Sequence, residues 1–267
     1  MLDIMGIFRE LKFLSALWKA NLQSVLEYRG AFIWQMIGMM LNNAFYFIFW
    51  IIFFNQFNQI RGWGLSDMYI VFGITSSSFG LASILFGNTF NLSEIIARGR
   101  LDYYLSLPRP ILIHALASRS IPSGFGDFTY GILSFLVAGV FTWSAFGRFF
   151  IGVILATIVF ISFMVIIQSL AFWMGNTTAL GNLFMNAMLT FALYPTSLFD
   201  GPAKFILFTI IPAGFMGAVP ASVVTAFSWQ GLGLLLLGAC VLLITSILVF
   251  RSGLHKYESG SAIQVEV

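Results

Sequence analysis

The chain has 267 residues, of which 59% are hydrophobic and only 9% charged, with a formal net charge of +3. An ordinary soluble domain carries roughly 25% charged residues, so this composition cannot supply the polar skin of a water-soluble protein. The small, scattered positive charge argues against a nucleic-acid partner.

The first 29 residues hold Arg9, Lys12, Lys19 and Arg29 with Asp3, Glu10 and Glu27 between them. No apolar block there closes on a cleavage site, so they read as mature cytosolic sequence, not a secretion signal. Ile4, Ile7, Phe8, Leu11, Leu14, Trp18, Leu22 and Val25 recur at helical spacing, with Arg9, Lys12 and Lys19 turned elsewhere. That predicts an amphipathic helix over 4–25, within a first region 1–30, lying in the membrane interface or packed on partner protein. Apolar runs then follow at about 31–54, 67–90, 123–143, 149–173, 179–198 and 232–250. Runs of about 20 residues cross the roughly 30 Å hydrocarbon layer as helices, and the absence of period-two alternation excludes barrel strands. Between the last two runs, 201–224 is apolar but interrupted by Pro202, Pro212, Gly214, Gly217 and Pro220, which break a helix. This stretch is read as a re-entrant hairpin, with a full seventh span as the competing reading. A cytosolic tail over 251–267 ends the chain.

Charge placement favours six spans with both termini inside. Arg9, Lys12, Lys19, Arg29, Arg98, Arg100, Arg109, Arg119, Arg251 and Lys256 then lie on the cytosolic side, against Arg61, Arg148 and Lys204 outside. A seventh span would move Arg251 and Lys256 outward and weaken this asymmetry. Trp50, Trp63, Trp143 and Trp229 fall near outer span ends, and Trp18 and Trp173 near inner ones, as interfacial belts require. The expected fold is thus an all-α, multi-pass protein of the inner or plasma membrane, with both termini cytosolic. No internal repeat is evident.

The single cysteine, Cys240, lies inside an apolar run and predicts a packed core residue. His114 and His255 stand far apart, so no metal site is expected. Gly73, Gly80 and Gly87 recur every seven residues near Ser76, Ser77 and Ser83, which predicts close helix packing in preference to a polar translocation surface. Gln35, Asn42, Asn43, Gln168, Asn182 and Asn186 are polar groups in or near spans and are expected to face other helices. Asp127 is the one acid clearly within a span. A carboxylate there costs on the order of 2.5–3.5 kcal/mol to insert, so it must face protein or water. It is either a substrate or proton site or, as favoured, an interfacial acid paired with Arg119 or with an arginine of a neighbouring subunit.

The most informative stretch runs from Asn91 to Pro110. Asn91 with Glu94 makes a capping-box-like start. Gly99 permits a sharp break, Leu101, Tyr104 and Leu105 give an apolar face, and Pro108 and Pro110 end the segment. The outcome is a short cytosolic helix held by turns on both sides, presenting Asp102, Tyr103 and flanking arginines.

Within it, Arg98-Gly-Arg-Leu-Asp-Tyr-Tyr-Leu-Ser-Leu-Pro-Arg-Pro110 resembles the Gly-x-Leu-Asp-x-x-Leu…Pro signature of ABC type-2 transporter permeases, in their short six-span branch. Tyr194-Pro-Thr-Ser-Leu-Phe-Asp-Gly201, followed by Ile211-Pro-Ala-Gly-Phe215 and Val219-Pro-Ala221, is similar to the same branch's Tyr-Pro…Pro-Ala-Gly-Phe…Pro-Ala pattern. The resemblance implies a permease subunit of an exporter that pairs with a second permease, identical or related, and docks two ABC ATPase subunits. It implies an ATPase-coupling helix formed by Gly99, Leu101, Asp102, Tyr104, Leu105 and Pro108. The hairpin it implies contains Pro202, Pro212, Gly214, Phe215 and Pro220. This chain has no Gly-x-x-x-x-Gly-Lys-[Ser/Thr] loop, so ATP and Mg are expected on the partner ATPase and no cofactor here. The aromatic-rich spans suggest a hydrophobic or amphipathic cargo. An ion-driven secondary transporter would need several intramembrane ionisable groups, and a membrane enzyme would need paired carboxylates, a His cluster or a nucleophile with its base. Neither pattern is present in this sequence.

Overall fold

The computed structural model describes residues 4–257. Asp3 and the part of the expected tail over 258–267 lie outside the described residues. Fourteen α-helices follow one another among the described residues: α1 Ile4–Glu27, α2 Arg29–Gln56, α3 Leu65–Leu85, α4 Leu92–Ala97, α5 Leu101–Leu105, α6 Ile111–Ala117, α7 Gly124–Val137, α8 Trp143–Ser169, α9 Ala171–Met174, α10 Thr178–Ala192, α11 Gly201–Thr209, α12 Ala213–Met216, α13 Ala218–Thr225 and α14 Trp229–Leu254. Local chemistry sets several starts. Thr142 Oγ1 accepts from the Ala145 N–H and Ser228 Oγ from the Gly231 N–H, capping α8 and α14. The Asp67 carboxylate accepts from the Gly64 N–H at the head of α3.

Among the described residues, four helical segments are long and apolar enough to cross a membrane: α2, α3, α8 continued by α9, and α14. α7 and α10, with 14 and 15 residues, are shorter than a full crossing. The segment containing α7 nonetheless runs the full length of α3, in antiparallel register. At one end, Ser120 Oγ donates to Ile84 O and the Ile121 N–H donates to Ser83 O. At the far end, Ser66 Oγ donates to Ala138 O at 2.6 Å. Between these ends the backbones nearly touch. A Cβ built on Gly80 would stand 2.6 Å from Gly124 O and from Phe128 N, and one on Gly73 would stand 2.9 Å from Gly131 O. The seven-residue glycine spacing is therefore a helix-packing device, matched on α7 by Gly124 and Gly131.

α3 lies at the centre, packed on α7, α8, α2 and α13, and α8 packs in turn on α14, α13 and α10. One core cluster joins Phe47, Phe72, Phe135, Phe149 and Phe160 across these helices. A second, smaller one gathers Leu92, Ile96, Leu101, Leu116 and Phe250 at the α4–α6 end. The proline-broken stretch forms two arms, α11 and α12–α13, bent by 64°. Pro212, Gly214, Phe215 and Pro220 are buried against the body, whereas Pro202 is exposed at the start of α11.

Two expectations need correction. Trp50 is not an interfacial residue: it is 3% exposed and packs against Phe54 and Tyr194, short of the end of α2. Cys240 is exposed, because α14 buries only a narrow stripe and turns its remaining apolar surface outward. Trp143 and Trp229, 80% and 78% exposed, sit at the heads of α8 and α14 as expected of a belt.

Candidate functional site

The segment from α4 to α6, hereafter the lever, is bounded by turns and packed on the body of the protein. α4 ends in a paired turn in which the Arg100 N–H donates to Ile95 O and the Gly99 N–H to Ile96 O. This Schellman closure needs a left-handed residue, and Gly99 supplies it at φ 70°. The chain then re-enters a helix at α5, with Leu101 and Tyr104 buried in the second core cluster. Tyr104 Oη lies 2.7 Å from Ser118 Oγ, fixing α5 against the end of α6. Pro110 precedes α6 and Pro108 is exposed in the intervening turn.

Of the expected coupling residues, Leu101 and Tyr104 seat the lever. Tyr103, 63% exposed, and Leu105, 40% exposed, project from it beside Arg98 and Arg100. Leu105 thus does not belong to the buried face, which at α5 is carried by Leu101 and Tyr104. Asn91 does not cap α4 with its side chain; Glu94 instead pairs with Arg98 at 2.9 Å and faces Arg100 at 4.0 Å. The C-terminal end of the described chain also reaches the lever: burial, reinforced by the Asp102 carboxylate, pushes the Tyr257 hydroxyl up to about 12.

α1 braces the lever from the side. Arg109 donates to Glu10 Oε1 at 2.7 Å and lies 4.7 Å over the Phe13 ring. Phe13 meets His114 edge-on at 5.0 Å, Trp18 Nε1 donates to Leu85 O and Asn21 Nδ2 to Ala117 O. His114 is buried, which lowers its pKa, and the Arg109 charge lowers it further. Phe8, Leu11 and Leu22 remain exposed, leaving an apolar face on α1 that the body does not cover. A polar knot holds the lever's other side: Gln168 Oε1 accepts from the Ser93 N–H, Gln168 Nε2 donates to Phe90 O, and Ser93 Oγ accepts from the Thr177 N–H.

Midway along the bundle, α2, α3, α7 and α10 enclose a cavity of about 430 Å³. Asp127 lines it, 2% exposed, and its Oδ1 accepts from Asn43 Nδ2 at 2.7 Å. The favoured pairing with Arg119 is not formed: α7 runs up alongside α3, so Asp127 lies opposite the middle of α2 while Arg119 stays exposed in the turn before α7. Among the span amides, Asn43 and Gln168 pack inward as expected, but Gln35, Asn42, Asn182 and Asn186 are exposed on α2 and α10. Among the described residues no group of three or more His, Cys, Asp and Glu could hold a metal.

A family model described as ABC-2 family transporter protein matches residues 40–261, from within α2 to beyond α14. The chain belongs to the ABC-2 transporter family. No curated protein and no solved structure matches it. As an ABC-2 family member it is a multi-pass membrane protein and the permease component of an ABC transporter, a transport component by family. The match takes in the lever, nearly all of the cavity wall and the bent α11–α13 stretch alike. Three features of this permease have no local sequence signal: the Asn43–Asp127 contact, the Gln168 knot and the Arg109–Glu10 brace. Each joins residues 75 or more apart in the chain.

Proposed function

We propose that this ABC-2 permease is the membrane half of an ATP-driven exporter for a hydrophobic or amphipathic cargo, moved by two separate ABC ATPase subunits that bind ATP and Mg. The lever carries this reading. It is a short helix whose inner face is locked into the body by Leu101 and Tyr104, while Tyr103 and Leu105 stand out as uncovered apolar side chains. Exposed aromatic and aliphatic groups among arginines fit a docked protein, and the rigid seat lets a push on them reach the spans.

In this reading the lever end is cytosolic, both termini lie there, and α11–α13 form a re-entrant hairpin near the opposite face, giving six crossings. The distribution of cations supports it: Arg98, Arg100, Arg109 and Arg119 cluster around the lever, whereas Arg61 is tied to Asp200 at the start of α11 at 2.7 Å. A second permease, identical or related, completes the pathway along α2 and α10. Asn182, Asn186 and Thr190 form an exposed stripe on α10 at i, i+4 and i+8, with Asn42 exposed on α2. Amides at such depth are costly in lipid and belong against protein or a wet pathway. The exposed face of α14, with Leu234, Leu237, Val241 and Leu248, is by contrast an ordinary lipid surface.

The test is co-purification of the full-length permease with its ATPase subunits after replacing Tyr103 and Leu105 together by aspartate. Loss of the ATPase with unchanged permease yield and thermal stability is expected. An ATPase that stays bound, with transport intact, would overturn the assignment of the lever.

A further inference from the structure

The cavity at Asp127 holds an acceptor without a complement. Asn43 spends one amide hydrogen on Met39 O at 3.0 Å and the other on Asp127 Oδ1, and its own oxygen accepts from Ser76 Oγ at 3.3 Å. The amide is therefore oriented as a donor toward the carboxylate, and nothing remains for the second oxygen. Asp127 Oδ2 is buried with no hydrogen-bond partner, and Thr75 Oγ1, on the same cavity wall, is equally unpartnered. No lysine, arginine or histidine lines the cavity, and no described cation forms a salt bridge with Asp127. Left so, a buried carboxylate is a strong liability, because its charge is neither solvated nor paired.

The rest of the wall identifies what fits. Tyr46, Phe49, Trp50 and Tyr194 line the same space, Trp50 and Tyr194 meeting edge-to-face at 5.5 Å. Aromatic faces attract cations and also accept apolar bodies. An anion is excluded by the carboxylate. A bare divalent metal needs several oxygen ligands, and Asp127 is the only acidic residue on the wall. The cavity volume lies within the range of small-molecule sites.

We propose that this cavity is a cargo subsite for an amphipathic organic cation, an amine whose N–H donates to the Asp127 carboxylate while its apolar body lies against Trp50 and Tyr46. The inference rests on the permease reading, since it names the chemical class of what that permease moves. Asn43 is a positioning residue here: its hydrogen bond to Oδ1 fixes the Asp127 carboxylate on the cavity wall.

The test is equilibrium dialysis of the purified full-length permease, without ATPase, against 2-(1-naphthyl)ethylamine and its uncharged analogue 2-(1-naphthyl)ethanol. Wild-type protein is expected to bind the amine at least about tenfold more tightly than the alcohol, as a charge-assisted hydrogen bond to a largely buried carboxylate implies. Asp127→Asn should abolish that preference while keeping alcohol binding, and Asp127→Glu should retain it. If Asp127→Asn does not fold, the wild-type amine-to-alcohol ratio and the Asp127→Glu ratio decide the matter. Equal binding of the two probes, as a site that only takes up a proton would give, overturns the proposal, and so does an amine preference that survives in Asp127→Asn. Because no ATPase is present, failure here leaves the lever assignment standing, and failure of ATPase co-purification leaves this binding result standing.

Discussion

Replacing Gly80 by alanine puts a methyl carbon 2.6 Å from the Gly124 carbonyl oxygen and 2.6 Å from the Phe128 amide nitrogen. Both are backbone atoms inside a helix and cannot swing aside. Ordinary contact begins at 3.4 Å, so α3 and α7 must part by roughly 0.8 Å or the α7 backbone must shift. Overpacking of this kind costs about 1–3 kcal/mol. Alanine also gains helix propensity over glycine, by up to about 1 kcal/mol, so the measurement needs a reference. Gly233 on α14 supplies it: it is helical and exposed, with nothing within 4 Å of its Cβ position. The difference between Gly80→Ala and Gly233→Ala then isolates the contact. Thermal unfolding in detergent, followed by loss of the monodisperse peak on size exclusion, should place Gly80→Ala below Gly233→Ala by several degrees. If Gly80→Ala were as stable as Gly233→Ala, the close α3–α7 register would be wrong.

Three further outcomes follow from contacts around the lever. Arg109→Ala removes the Glu10 pair and the Phe13 ring contact; both partners of the ion pair are about one-third exposed, so α1 should loosen by only about 1 kcal/mol. That is roughly fivefold faster hydrogen exchange in α1, and unchanged exchange there would count against the brace. Gln168→Leu leaves the Ser93 N–H and Phe90 O without their partner, and should lower thermal stability by about 2–5 kcal/mol; a neutral effect would refute the knot. His114 has a folded pKa below the ordinary 6.5, so the unfolded chain binds the extra proton first and its contribution is full above about pH 6.5 and lost as pH falls below it. Hydrogen exchange in α1 and α6 should therefore rise on acidification below pH 6.5, and His114→Phe should flatten that dependence.

Much of this architecture is legible in the residues, and the remainder is hidden for a definite reason. The apolar runs, the Gly99 break and the proline-induced breaks between α11 and α13 are local signals, read from spacing alone. The seven-residue repeat of Gly73 and Gly80 also points correctly to helix packing, though its complement on α7 needs the antiparallel register to be seen. Trp50 and Cys240 escape a reading by pattern because lipid and protein core are both apolar, so periodicity does not tell a buried face from a lipid face. α14 illustrates this, with apolar side chains both outward and inward. The Asp127 environment is hidden differently. Its partner Asn43 is 84 positions away, and only the rise of α7 along α3 brings them together.

The lever and the cavity are joined by the turn between α6 and α7, and the geometry of that turn decides what a push can do. Asn88, just beyond α3, donates to Ala115 O and Ser118 Oγ at the end of α6; the Gly87 N–H donates to Arg119 O and the Ile121 N–H to Ser83 O. α6 and the foot of α7 are thereby pinned to the foot of α3, and Tyr104 is pinned to Ser118 on the same turn. A displacement of α5 cannot be absorbed by a slack loop, since the turn that would absorb it is hydrogen-bonded to the spans. Under the proposed coupling role it would be passed to α3 and α7 as a pair, because their backbones are in contact and cannot slide without breaking the register at Gly80 and Gly124. α2 touches α7 just as closely, since a Cβ on Gly126 would run into Met36 O, whereas α10 meets α3 only lightly and carries part of the opposite wall of the cavity. Under the proposed coupling role, motion of the lever would therefore shift α2, α3 and α7 together against α10, changing the distance between Asp127 and the Asn186 and Thr190 side of the cavity, which is where a bound cargo would be gripped or released.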